Sequence, residues 1–212
     1  MAIRPHVTQQ HWGADSGGFV IGTDEPMKLY YYDIEKDTLK ELDECHTQGS
    51  ADAVVLPSNE VFYRKPNDEI WKMNLATGEK KKLGEKPPHA SGLSVIHATN
   101  DGKYVTSYWR EDQEEADFVN GKQRIRIVPR LDCNSGVWDT TSIRKEFNED
   151  PRYPDIGHPI INPVYDDLVF FCHEGRTEDI PDRLWIGNYA TKETKNLFVQ
   201  APLEDGKTGE TS

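Results

Sequence analysis

Glu69-Ile70-Trp71-Lys72-Met73-Asn74-Leu75, the turn Ala76-Thr77-Gly78 and a closing run from Glu79 to Leu83 form the stretch on which the fold turns. Two shorter runs precede it, Ala53-Val54-Val55-Leu56 and Glu60-Val61-Phe62-Tyr63. Alternation along such runs gives each strand one side for a neighbouring sheet and one for water. The Asn-Leu-Ala-Thr-Gly step supplies the polar and left-handed positions that a tight hairpin requires. Three strands, a polar turn and a last strand make one antiparallel unit.

The unit recurs. It is met first as Phe19-Val20-Ile21-Gly22, then Leu29-Tyr30-Tyr31-Tyr32-Asp33-Ile34, the turn Glu35-Lys36-Asp37, and Thr38 to Leu42. A third copy runs Tyr104 to Trp109 and Arg124 to Val128, with its turn at Asp132-Cys133-Asn134-Ser135-Gly136. The fourth has Leu168-Val169-Phe170-Phe171-Cys172, Arg183 to Asn188, a turn at Thr191 to Thr194, and Asn196-Leu197-Phe198. Trp71 and Trp185 fall at equivalent repeat positions, which packing explains without a sugar-stacking role. The copies recur roughly every 40 to 60 residues, near the length of a β-propeller blade. A sandwich does not need one signature four times.

The expected fold class is therefore all-β, an arc of about four blades resembling part of a seven-bladed propeller. Residues 1–212 are read as one partial domain with blades near 8–50, 51–92, 93–150 and 157–205. An open arc leaves two blade faces bare. The segment from Glu111 to Gly121 is the one plausible short helix, read as a blade insertion.

Hydrophobic residues make up 35% of the chain and charged residues 29%, yet 10% are aromatic, which argues against disorder. The formal net charge of -12 disfavours nucleic acid and anionic membranes, both polyanions. It does not exclude a small anionic substrate, because a local Arg or metal opposes the global field at short range. Cys45, Cys133 and Cys172 are an odd number without metal-type spacing, which fits a reduced, cytoplasmic compartment. No apolar run is long enough for a signal peptide or a membrane span.

One block carries chemistry: Gly157-His158-Pro159-Ile160-Ile161-Asn162-Pro163, Phe170-Phe171-Cys172-His173-Glu174-Gly175 and Asp182-Arg183-Leu184-Trp185. His173 and Glu174 end an apolar strand, and Arg183 opens the next. Strand ends at the mouth of a propeller face its channel, where ligands bind. A His, a carboxylate and an Arg at one rim suit a polar anion. Blander readings stand beside these. Arg183 could pair with Asp182 or Glu178, His173 could bond within its blade, Glu174 could cap backbone N–H groups, and Gly-His-Pro could simply turn the chain. The acidic run from Asp112 to Asp117 reads as a solvated loop, and His6, His11, His46, His89 and His97 show no metal spacing.

The same block resembles the oligogalacturonate lyases, a family of seven-bladed β-propeller enzymes of pectin degradation. Gln10 with Asp15-Ser16-Gly17-Gly18, and Val61-Phe62-Tyr63 with Asn74 to Glu79, extend the resemblance over most of the chain. It implies β-elimination on short galacturonate oligomers, an acidic oligosaccharide partner, and manganese or a similar divalent metal. It assigns Arg183 as catalytic, removing the C5 proton or binding the carboxylate bidentately, while His173, His158 and Glu174 are read from their strand-end positions as substrate-binding. The family's later His-Glu-Phe-Trp-like block and its metal-binding His and Gln residues have no match here. The chain is thus expected to be a fragment that lacks the family's metal site and is inactive or nearly so alone. Two alternatives stay open: a non-catalytic TolB-like binding or scaffold propeller, and a lyase for another uronate polymer such as ulvan.

Overall fold

A computed structural model describes residues 11–47, 51–112, 124–140, 155–174 and 183–198. Among these residues there is no α-helix, and none therefore long and apolar enough to cross a membrane. The first sheet is β1 (Gly18–Asp24), β2 (Met27–Asp33) and β3 (Thr38–Glu44), in that order. The second is β4 (Ala53–Val55), β5 (Glu60–Arg64), β6 (Glu69–Asn74) and β7 (Lys80–Glu85). Next come β8 (His97–Ala98), β9 (Tyr104–Thr106), a separate hairpin of β10 (Trp109–Asp112) and β11 (Arg124–Ile127), then β12 (Pro129–Asp132) and β13 (Trp138–Thr140). The third sheet orders these as β13-β12-β9-β8. The fourth is β14 (Asp155–Ile161), β15 (Leu168–Glu174), β16 (Leu184–Asn188) and β17 (Thr194–Phe198). Three four-stranded sheets, after a first one with three strands among the described residues, are the blade unit read from the sequence.

The repeat is atomic. Asp33, Asn74, Asp132 and Asn188 each open the last hairpin of a sheet. Their Oδ1 atoms accept N–H bonds from Lys36, from Ala76 and Thr77, from Asn134 and Ser135, and from Ala190 and Thr191, at 2.8–3.1 Å. Four residues on, the chain turns left-handed every time: Asp37 at φ 50°, Gly78 at 75°, Gly136 at 74° and Lys192 at 62°. The Asx side chain satisfies turn amides that the ladder leaves open, and the left-handed residue returns the chain. In three sheets the last strand then slips by one residue opposite the same dipeptide, Leu29-Tyr30, Ile70-Trp71 and Leu184-Trp185. The slip leaves an unpaired leucine each time, Leu42, Leu83 and Leu197. Trp71 faces Tyr63 and Trp185 faces Phe171, so the two tryptophans do occupy one position.

Burial within a sheet falls from first strand to last. β4 is wholly buried and β5 nearly so, whereas β7 is mostly exposed. The described residues form two compact units. One holds residues up to 87 with 95–105 and 131–137. Its core packs Val20, Leu29 and Cys45 against Ala51, Ala53, Val55, Val61, Tyr63 and Met73. The other holds 88–94, 106–130 and the residues from 138 onward. There Trp109 meets Trp138 edge-on at 5.3 Å, and the buried Tyr189 hydroxyl sits 3.1 Å from Thr106 Oγ1, beneath the Arg130 guanidinium.

The stretch expected as a helix begins instead within β10, whose pairing with β11 runs from Trp109↔Ile127 to Asp112↔Arg124. The rest of it, 113–121, lies outside the described residues. The fourth sheet starts at Asp155 rather than at 157.

Gly78 has open space where a Cβ would stand, so Gly78→Ala costs only the left-handed backbone, about 1–2 kcal/mol. We expect a lower urea midpoint with an unchanged m-value. His97 tests burial. Its Nδ1 is buried without a hydrogen-bond partner, and burial pushes its pKa down to about 4. The unfolded imidazole titrates near 6.5. Between those values the unfolded chain binds the extra proton, so stability is lost as pH falls through this window, on the order of 3 kcal/mol. Urea unfolding at both ends of the window should show a smaller loss for His97→Gln than for the wild type.

Candidate functional site

Three strand ends meet at one end of the fourth sheet: the start of β14, the end of β15 and the start of β16. Along β15 the side chains alternate. Val169, Phe171 and His173 are buried, and Leu168, Phe170, Cys172 and Glu174 are half-buried. Period two therefore places Cys172 and Glu174 on one face and His173 on the other.

β14 would ordinarily run straight past this end, but it carries one extra residue. Gly157 pairs with Cys172, and the next pair is Ile160 with Phe170, so β14 spends three steps where β15 spends two. His158 absorbs the excess in the left-handed region, at φ 51°. That conformation is costly for a residue with a Cβ, and bulges of this kind gather beside functional sites. Its Nδ1 lies 2.8 Å from Glu174 Oε1. Gly157 makes the contact possible: a Cβ there would stand 2.6 Å from Glu174 Oε1 and 2.9 Å from its Cγ. A side chain at 157 would displace the carboxylate from this place against the bulge.

Arg183 closes the group from β16. The His173 N–H donates to the Arg183 carbonyl at 2.9 Å, which fixes the start of that strand. The Arg183 guanidinium reaches Glu174 Oε2 at 3.5 Å, an ion pair looser than a charge-assisted hydrogen bond. One carboxylate thus faces an imidazole with one oxygen and a guanidinium with the other. Side-chain exposures of 76% for His158, 26% for Glu174 and 20% for Arg183 leave the group open to solvent. The Cys172 thiol lies beside them. Burial first, then the Glu174 charge, raises its pKa, with Arg183 pulling the other way. Ligand atoms of His158, Cys172 and Glu174 all lie within 4.8 Å of one another.

The structure brings together three of the four residues singled out in the sequence, His158, Glu174 and Arg183. It separates His173, which is 5% exposed on the opposite face of β15. Cys172 escaped the sequence reading, although it stands two residues before Glu174 on a strand and so shares its face. The proposed bland partners of Arg183, Glu178 and Asp182, lie outside the described residues.

No protein-family model matches the chain. The oligogalacturonide lyase of Pectobacterium atrosepticum is 23% identical over 178 residues, covering 78% of this chain and 43% of the relative. The oligogalacturonate lyase of Dickeya dadantii is 24% identical over 194 residues, covering 85% and 47%. Among solved structures, an oligogalacturonate lyase in complex with manganese superposes with a TM-score of 0.73 at 21% identity, over 91% of this chain and 52% of that one. The chain spans about half the length of the proteins it matches. Over most of its own length it is similar in sequence and in fold to the oligogalacturonate lyases.

Proposed function

We propose that this chain supplies the uronate-binding part of an oligogalacturonate-lyase-type site, with Arg183 receiving the substrate carboxylate. The carrying observation is a partly exposed guanidinium, paired with Glu174, in the block that resembles the lyases. The names of the curated relatives support the reaction class.

In such an elimination a base takes the C5 proton. The electron pair left behind forms the C4–C5 double bond, and the C4–O bond breaks, with a proton taken up by the departing oxygen. Negative charge develops at C5 and spreads into the adjoining carboxylate. A guanidinium paired with that carboxylate stabilises this charge. Arginine stays protonated in proteins, which favours the binding role for Arg183 over that of base. Glu174 orients Arg183 from behind, and the exposed His158 ring has reach to a sugar hydroxyl. The net charge of -12 repels an acidic oligomer at distance. Beyond roughly 8–10 Å salt screens that repulsion, and at contact the guanidinium dominates.

Manganese supplies a Lewis acid at the uronate carboxylate wherever such an enzyme binds it. Of the donors grouped here, His158 and Glu174 suit it and the soft Cys172 sulfur does not. The set as a whole is a poor manganese site.

The test is a titration of the 212-residue chain with digalacturonate and with the neutral disaccharide galactobiose, followed by amide shifts in nuclear magnetic resonance. Digalacturonate should give saturable shifts at Glu174 and Arg183, and galactobiose none. Arg183→Ala should weaken binding about tenfold or more, the worth of one charge-assisted pair. Equal binding of the two sugars would mark a general binding module, and an unchanged affinity in Arg183→Ala would remove Arg183 from the site.

A further inference from the structure

We infer that His158, Cys172 and Glu174 form a binding site for a borderline-soft divalent cation of the zinc class, with a fourth position open to an anionic oxygen ligand. The inference stands apart from the lyase reading, since it concerns what these three side chains hold and not what is turned over.

Geometry comes first. An imidazole nitrogen, a thiol sulfur and a carboxylate oxygen lie within 4.8 Å of one another. Around tetrahedral zinc, bonds of about 2.0–2.3 Å set donors roughly 3.3–3.7 Å apart. The Nδ1–Oε1 contact at 2.8 Å must therefore open slightly while the sulfur closes in. The backbone already brings all three groups near one another. Cys172 and Glu174 share a face by strand alternation, and the bulge swings His158 over that face. Gly157 leaves room for the carboxylate, since a Cβ there would overlap it. An ordinary surface histidine has no need of a left-handed bulge and an adjoining glycine.

Donor chemistry selects the ion. Sulfur, nitrogen and oxygen from three side chains match the open catalytic type of zinc site, whose fourth position takes water or substrate. Magnesium, calcium and manganese prefer all-oxygen or oxygen-rich shells. On binding, the Cys172 thiol gives its proton to solvent and coordinates as thiolate. A dication with two anionic ligands is then neutral, and Arg183 on the far oxygen of Glu174 adds one positive charge. The completed site is locally cationic within a chain of net charge -12, so the fourth ligand it suits is a carboxylate or another anionic oxygen.

Arg183 also acts as the outer partner that holds Glu174, a role that tunes metal affinity by about ten- to a hundredfold in known sites. The other two cysteines, Cys45 and Cys133, are buried in the first unit and belong to its packing.

Calorimetry of the 212-residue chain with zinc and with manganese tests the site, and cobalt substitution reads its ligands. We expect one zinc per chain at micromolar affinity or tighter, with manganese at least about tenfold weaker. The cobalt form should carry a thiolate charge-transfer band in the near ultraviolet, and Cys172→Ser should abolish it. His158→Ala alters a mostly exposed side chain, so the fold should survive while zinc binding weakens about tenfold or more. Zinc affinity unchanged in His158→Ala, a cobalt complex without the thiolate band, manganese bound as tightly as zinc, or no binding at all would each overturn the inference. None of these readouts involves galacturonate, so their failure leaves the uronate-binding reading standing.

Discussion

A single buried guanidinium organises the first unit. Arg64 is 4% exposed, and it donates through Nε to Asp52 at 2.6 Å and through Nη1 to Asp68 at 2.7 Å. Its Nη2 lies 2.7 Å from His46 Nδ1. The second oxygen of Asp52 accepts the Ile96 N–H at 2.8 Å. Burying two ions costs several kcal/mol each, and only near-complete pairing offsets it. Burial pushes Asp52 upward against the opposing pull of Arg64, and burial followed by the Arg64 charge pushes His46 downward. A neutral His46 is the state that lets its ring nitrogen accept from the guanidinium. The loop before β4, the end of β5, the turn after it and the segment entering β8 are thereby tied to one side chain.

The register gives Arg64 exact counterparts. It pairs with Ile70, just before the slip at Ile70-Trp71. Gly22 pairs with Leu29 in the first sheet and Cys172 with Leu184 in the fourth, each just before the same slip. One ladder position thus holds glycine, arginine and cysteine. At Gly22 a Cβ would collide with Thr47 and Ala51. At Arg64 the slot is an electrostatically saturated clamp. At Cys172 it is half-buried and uncharged, beside the partly exposed ion pair of Glu174 and Arg183. What stabilises the second sheet and what equips the fourth are alternative uses of a single position.

These relations also explain what the sequence disclosed. The fourfold unit was legible because its hairpins depend on residue types with few substitutes, an Asx at the first position and a left-handed residue four later. Asp37 and Lys192 hide that second feature, since neither advertises a positive φ as glycine does. Arg183 and Glu174 were legible as charges at the ends of apolar runs. The faces were not. Phe170-Phe171-Cys172 is apolar throughout, so nothing local says which of Cys172, His173 and Glu174 look the same way, and a one-residue error moves a side chain across the sheet. The bulge was invisible for a similar reason. Gly-His-Pro reads as a turn into a strand, whereas it is an insertion within one. The acidic stretch after Trp109 lacked the apolar stripe a helix needs, and its first residues pair as β10.

The open end of the fourth sheet carries costs that the rest of the sheet must offset. His158 sits left-handed, Gly157 contributes no side chain to packing, and the Glu174–Arg183 pair is too exposed to stabilise by much. Against this, the other face of β15 is continuous with the interior: Val169 and Phe171 are wholly buried, His173 nearly so, and the buried Trp185 pairs with Phe171 from β16. The far end of β16 is pinned by the Asn188 turn, whose side chain fixes the hairpin to β17. With both the register and the buried face set from that end, β16 has one place to begin. Arg183 is therefore delivered to Glu174 by a turn at the opposite end of its own strand, and the end that holds the pair is free to depart from regular pairing because regularity is enforced elsewhere.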